Sequence, residues 1–391
     1  MIKISKNILN FIKSKMKRVL RYLCMFIFFV IVSCSVKREV VVNNKNEQPK
    51  NVILLISDGA GLSQISSVFF NNDLTPNYSR FKNIGLIKTS SHLHDITDSA
   101  AAATSFATGE KTYNGAIGVA SDSTNLTSIV EILNLKNVKS GIVATSSITH
   151  ATPASFYAHV VHRNMQEDIA LDLVESNVDF FAGGGLKYFN NRSDKLNLLE
   201  SVGFKKHHID TIHLDDYSAI KNYEKIGYLL APNELPKFSQ NRGDFLPNAT
   251  ELAIKFLSKN DTPFFLMCEG SQIDWGGHQN DGAYVISEVL DFDNTIGRVL
   301  DFAEKDGNTL VIVTSDHETG GFTLSAQTRK RDDGSEYSDY KDVDFTFSNG
   351  GHSATLIPVF AYGPGSDRFI GIYENTEIFQ KIVELTRWEK K

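Results

Sequence analysis

Short apolar runs in this chain end repeatedly in residues that can hold a cation. Val52 to Ile56 runs on to Asp58-Gly59, Gly141 to Ala144 to His150-Ala151-Thr152, Phe264 to Met267 to Glu269-Gly270, and Leu310 to Val313 to Asp316-His317. One Asp-Gly after a strand is usually a turn and nothing more. Four such endings are another matter, because parallel sheets bind ligands beyond the carboxyl ends of their strands. Asp274 and His278 add an i, i+4 pair that shares a face if the segment is helical. With His352, the inventory is the carboxylate and imidazole set expected for zinc, beside an Asp, Glu and hydroxyl set that suits magnesium.

The nucleophile signal is Thr97-Asp98-Ser99-Ala100-Ala101-Ala102-Ala103-Thr104. Alanine is the best helix former, so the run reads as a helix with Ser99 in its first turn, where unpaired N–H groups and the helix dipole favour an anion. Asp98 or Ser99 could equally serve as an N-cap alone. A serine hydroxyl is a weak nucleophile until a base or a metal activates it. No G-x-S-x-G pattern surrounds Ser99, which makes a metal the better activator. Arg163 can grip two phosphate oxygens at once, as a lysine cannot. His92, His94, His159 and His162 read as structural, and His207, His208 and His213, in a polar stretch, as surface residues.

Stepping along the chain, candidate strands are Val52 to Ile56, Gly141 to Ala144, Val178 to Ala182, Phe264 to Met267, Leu310 to Val313 and Pro358 to Tyr362. Helical patterns run from about Ala100 to Thr108, Thr127 to Leu135, Gln166 to Glu175, Asn248 to Leu257 and Val285 to Glu304. This alternation predicts an α/β fold with a mainly parallel central sheet and helices on both faces. Leu186 to Leu246 and Gly320 to Gly351 fit it poorly and read as insertions beside the sheet, lids or interfaces. Arg329-Lys330-Arg331, within the second, reads as a solvated loop.

The first 33 residues differ from the rest. Seven basic residues, from Lys3 to Arg21, precede the apolar run Tyr22 to Val32 with no acidic residue among them. That is the pattern of an export signal, and the run is too short for the roughly 20 residues a membrane-spanning helix needs. It ends in Ile31-Val32-Ser33-Cys34, which resembles a bacterial lipobox and makes Cys34 the expected lipidated first residue. The expected organisation is a signal at 1–33, a lipidated tether at 34–50 and one catalytic domain at 51–391. Cleavage removes seven positive charges and moves the formal net charge from −6 to −13. So acidic a chain argues against nucleic acid as the principal partner. Cys268 is then the one cysteine left, so the domain has no internal disulfide.

Taken together, Asp58-Gly59-Ala60-Gly61, Asp98-Ser99-Ala100-Ala101 through Thr108-Gly109, Lys111-Thr112-Tyr113-Asn114-Gly115, His150-Ala151-Thr152-Pro153, Glu269 to Asp274, Thr314-Ser315-Asp316-His317 and His352 resemble the alkaline phosphatase signature, in the same order. The resemblance spans nearly all of Asn51 to Lys391. It implies hydrolysis of phosphate monoesters through a phosphoserine on Ser99, with two zinc ions and one magnesium ion. One zinc would be held by Asp274, His278 and His352, the second by Asp58, Asp316 and His317, and magnesium by Asp58, Thr152 and Glu269. Arg163, oriented by Asp98, would hold the phosphate. His150 and Trp275 stand at positions near the substrate that vary within the family. Many members dimerise, which leaves a homodimer open. The expected location is the cell envelope, periplasmic or surface-facing, with the membrane engaged through lipid on Cys34. The alternatives are a phosphodiesterase of the same superfamily and a non-catalytic lipoprotein that binds phosphate or zinc.

Overall fold

The computed structural model describes Met16 and residues 48–71, 75–200 and 203–388. The expected signal, Cys34 and most of the tether fall outside these residues. No helix among the described residues is long and apolar enough to cross a membrane.

In chain order the strands are β1 (Asn51–Ser57), β2 (Asn83–Lys88), β3 (Lys139–Ser147), β4 (Phe180–Gly184), β5 (His207–Asp210), β6 (Lys225–Leu229), β7 (Phe264–Gly270), β8 (Thr309–Thr314), β9 (Glu318–Thr319), β10 (Thr323–Lys330), β11 (Glu336–Thr346), β12 (His352–Ser353), β13 (Ile357–Tyr362) and β14 (Gly371–Glu374). Ten of them form one sheet in the order β14-β2-β13-β8-β1-β7-β3-β4-β6-β5. Every neighbouring pair is parallel except those of β13 with β2 and β8. This is the α/β architecture expected from the sequence.

The central strands are apolar throughout because both faces are covered, and strand alternation sorts their side chains into two cores. Val52, Leu54, Ile56, Phe265, Met267, Leu310 and Ile312 join a core with Phe106, Leu133, Leu173 and Ile382 from helices on one face. Ile53, Leu55, Leu266, Cys268, Val311 and Val313 join the other with Phe256 and Phe292. Each such fully buried large side chain contributes about 1.5–3 kcal/mol from leaving water. The longest helix, Gly282–Asp306, starts where Asp281 accepts from Tyr284 N and stops at Gly307, whose φ of 71° suits glycine.

One expectation needs correction. The stretch 186–246 does not lie beside the sheet; it supplies β5 and β6, which extend the sheet at one edge. Their His-His-Ile-Asp and Lys-Ile-Gly-Tyr-Leu sequences lack a long apolar run because β5 is an edge strand and only half-buried. The stretch 320–351 does stand apart, as the antiparallel hairpin β10–β11 and the turn after it. Arg329, Lys330 and Arg331 are exposed on it, with Arg329 paired to Asp339 and Asp342.

Candidate active site

The sheet carries the predicted residues to its carboxyl edge. Asp58 follows β1, Glu269 lies near the end of β7, Asp316 and His317 follow β8, and His150 and Thr152 follow β3 at the short helix Ala151–Ala154. Asp274 and His278 share a face of the helix Gln272–His278, and His352 comes from β12, paired with Thr319 of β9. Gly59 makes the turn after β1 with φ of 79°, and a Cβ there would stand 2.5 Å from Asp274 Cα. Only glycine permits both the backbone and the approach.

Three sets of donor atoms result, each lying within 4.8 Å: Asp274, His278 and His352; Asp58, Asp316 and His317; and Asp58, His150 and Glu269. In the first, His278 Nε2 is 3.3 Å from Asp274 Oδ1 and 3.2 Å from His352 Nε2. In the second, His317 Nε2 is 3.2 Å from Asp316 Oδ2 and 3.6 Å from Asp58 Oδ1. Asp58 belongs to both the second and the third.

Each imidazole of the first two sets is anchored through Nδ1, which turns Nε2 toward the cluster. His278 Nδ1 bonds Gly350 O at 2.7 Å, His352 Nδ1 bonds Thr97 O at 2.8 Å, and His317 Nδ1 lies 3.2 Å from Thr319 Oγ1. This is how metal-binding histidines are held. The carboxylates are pinned in the same way. Asp316 Oδ1 accepts from the N–H groups of Gly59 and His317, and Glu269 Oε2 accepts from Ser271 and Ser146. The opposite oxygens, Asp316 Oδ2 and Glu269 Oε1, are buried with no hydrogen-bond partner, as are both oxygens of Asp58 and the Thr152 hydroxyl. Buried carboxylate oxygens without partners are costly. Divalent cations would satisfy them, so the residues present fit the metals that the signature implies.

Burial, followed by repulsion from Asp316, Asp274 and Glu269, pushes Asp58 well above the usual carboxylate range. Burial likewise pushes Glu269 up to about 7. Asp316 is held below its ordinary value against its burial, chiefly by His317.

Ser99 opens the helix Ser99–Thr108 and its Oγ lies 3.2 Å from His317 Nε2. Asp98 is the N-cap, accepting from Ala101 N, while its other oxygen accepts from Arg163 Nη1 and Gly115 N, each at 3.0 Å. The first-turn N–H groups of Ser99 and Ala100 have no intrahelical acceptor. Arg163 also donates to His150 Nε2 at 3.4 Å. Because arginine only donates, this places the His150 proton on Nδ1, a buried atom with no other partner. Burial and the neighbouring Arg163 push His150 down to about 3, so it is neutral. Trp275 stands edge-on to it, with ring centroids 5.9 Å apart.

Sequence reasoning missed Thr319, whose hydroxyl donates to Asp274 Oδ1 at 2.6 Å and touches His317, joining the first two sets. Its neighbourhood to Asp316-His317 was the one available signal. His150, singled out after β3 and expected near the substrate, is a member of the third set. His159 is structural as expected, tied to Glu131 and Gly118 O. His207 is half-buried rather than fully exposed: it packs against Phe181 and Phe204, and burial pushes it down to about 4.

A doubly covered parallel sheet with a serine at a helix N-terminus, an arginine beside it and clustered cation-seeking donors defines a metal-dependent hydrolase of phosphate esters. The alkaline phosphatase family model matches residues 49–331. The chain is 33% identical to alkaline phosphatase 3 of Bacillus subtilis (strain 168), covering 88% of this chain and 90% of that protein. It is 62% identical to the solved alkaline phosphatase of the Antarctic bacterium TAB5, with a TM-score of 0.86 over 88% of this chain and 99% of that one. A histidine-to-aspartate variant of the TAB5 enzyme carries magnesium in a site called M3; this chain is 64% identical to it, with a TM-score of 0.87 and the same coverage. The chain belongs to the alkaline phosphatase family and is a metal-dependent phosphate monoesterase.

The buried carboxylates give the metal-free protein a distinctive pH dependence. Glu269 binds its proton more tightly folded than unfolded, so its penalty is absent below about pH 4.5, grows as pH rises, and is complete above about 7. In chelator-treated protein, Glu269→Gln is therefore expected to be more stable than the parent at pH 8. Their gap should shrink with acidification, by at most about 1.36 kcal/mol per pH unit. Urea unfolding of both proteins between pH 5 and 8 checks this; a gap that widens with acid would contradict it.

Proposed function

We propose that the chain hydrolyses phosphate monoesters by transferring the phosphoryl group to Ser99 and then to water. The observation that carries this is the meeting of Ser99 Oγ and Arg163 with buried donor atoms that have no other partner. Asp274, His278 and His352 would hold one zinc, Asp58, Asp316 and His317 the second, and Asp58, Thr152 and Glu269 a magnesium. Bound there, the metals would lower the pKa of the serine hydroxyl and stabilise charge on the attacking and leaving oxygens of an in-line displacement.

The protein's own part is orientation. Asp98 fixes Arg163, whose guanidinium takes two phosphoryl oxygens while the free N–H groups at the start of the helix face the same anion. Ser99 Oγ bonds to phosphorus as the ester P–O bond breaks and the alcohol leaves. Water then attacks phosphorus, the Ser99 O–P bond breaks, and phosphate is released. Acid-quenched turnover followed by mass spectrometry tests the reading: phosphoserine at Ser99 is expected, with a monoester rate far above the diester rate. A modification elsewhere, or a faster diester reaction, would reject it.

His150 brings a ring nitrogen within 4.8 Å of Asp58 and Glu269, where an aspartate would bring carboxylate oxygens. Magnesium prefers oxygen ligands and their bound waters. His150→Asp is therefore expected to tighten magnesium binding by roughly 10-fold or more, the scale on which outer-shell partners act. Magnesium titration of the zinc-loaded protein checks this, and unchanged affinity would count against it. The basic leader and Cys34 support export and lipid anchoring in the cell envelope, which labelling with a fatty acid analogue would test with Cys34→Ala as control.

A further inference from the structure

Metal-ligating side chains meet at one more place among the described residues. His208, Asp210 and Asp215 offer donor atoms within 4.8 Å of one another, all half-buried, at the edge of the sheet formed by β5. His208 and Asp210 are two apart on β5, so strand alternation sends both to one face. The chain then turns back. Asp210 Oδ1 accepts from the N–H groups of Ile212 and His213, at 2.7 and 3.0 Å, and this brings His213 and Asp215 against the strand.

His208 Nε2 lies 3.6 Å from Asp215 Oδ2, His213 Nε2 3.9 Å from Asp215 Oδ1, and His213 Nδ1 4.0 Å from Asp210 Oδ1. Ligands about 2.0–2.1 Å from a tetrahedral ion stand about 3.3–3.4 Å apart. In the active-site set of Asp274, His278 and His352 the separations are 3.2–3.6 Å. In the edge cluster His208 Nε2 and Asp215 Oδ2, at 3.6 Å, stand at that spacing, and one donor atom from each of His208, Asp210 and Asp215 lies within 4.8 Å of the others. Its members also have the orienting partners that metal ligands use. The His208 ring lies flat on Tyr223, with centroids 4.3 Å apart and planes 7° apart, and the Tyr228 hydroxyl donates to Asp215 Oδ2 at 3.2 Å. Two carboxylates with an imidazole, completed by water, match a divalent first-row cation of the zinc type.

We propose that His208, Asp210 and Asp215 form such a cation site, separate from the active centre, which ties the 211–215 turn to the edge strand. The proposal does not depend on how catalysis works. To test it, the protein is equilibrated with buffered free Zn2+, freed of unbound metal and its zinc counted, alongside the double variant His208→Gln, Asp215→Asn. One zinc equivalent fewer per chain is expected in the variant, with aryl phosphate turnover unchanged. Equal zinc in the two proteins would overturn the proposal. Should the variant not fold, anomalous diffraction at the zinc edge from parent crystals decides. A peak among the three side chains at the same buffered zinc upholds the site. No peak there, or a peak only in crystals soaked at high zinc, an adventitious ion only, overturns it.

Discussion

Ser99→Ala is expected to abolish turnover of an aryl phosphate while leaving the fold and metal content intact. Loss of an enzyme's nucleophile costs on the order of 10^4 to 10^6 in kcat. The fold should tolerate the change because the residue occupies the first position of a helix that is otherwise mostly alanine, and alanine raises helix propensity. The hydroxyl's contact within reach is His317 Nε2. Losing it leaves no large cavity, so the thermal midpoint should barely move. Activity, zinc content and thermal unfolding measured on one preparation check the prediction. A variant that keeps most of its activity with metals bound would place the nucleophile elsewhere, and one that loses metal as well would make Ser99 part of the metal shell.

Asp58→Asn should have effects of opposite sign in the two metal states. With metal, the amide removes a negative charge shared by two donor sets, and affinity should fall by more than the roughly 10–100-fold typical of outer-shell changes. Without metal, the parent carries a carboxylate that is fully buried, unpartnered and crowded by Asp316, Asp274 and Glu269. Asparagine relieves that repulsion, so the metal-free variant should be more stable than the metal-free parent at pH 8. Thermal unfolding with zinc and magnesium, then with chelator, reads both signs. A variant less stable in both states would show that Asp58 is held by something other than bound cations.

The sequence made the centre of the fold legible because β1, β3, β7 and β8 are buried on both faces and so carry unbroken apolar runs. The same physics exposed the site, since polar residues that follow such runs at a sheet's carboxyl edge stand out. Strands β2, β5, β6 and β14 were not legible: they are short, and β2, β5 and β14 are partly exposed, so little apolar pattern is required of them. The helix Glu377–Thr386 went unread despite Ile378 and Ile382, one turn apart, in the core. Within the site, side-chain types named the candidate ligands but not what orients them. The anchors of His278 and His352 are the backbone carbonyls of Gly350 and Thr97, and a carbonyl is present at every residue whatever its type. The third donor set was partly hidden for another reason. His150 joins it through a turn after β3 whose geometry sequence spacing does not specify.

The position of β1 at the centre of the sheet also bears on when the protein can fold. Val52 pairs with Phe265 on one side and with Leu310 on the other. At roughly 5–20 residues per second of synthesis, the first of these partners appears roughly 10–40 s after β1. Through that interval β1 is an apolar strand with both edges unpaired, the kind of segment that aggregates. Such long-range pairings also make for slow folding once the chain is complete. A chaperone that covers β1 until Phe265 and Leu310 have been made would therefore raise the yield of folded chain.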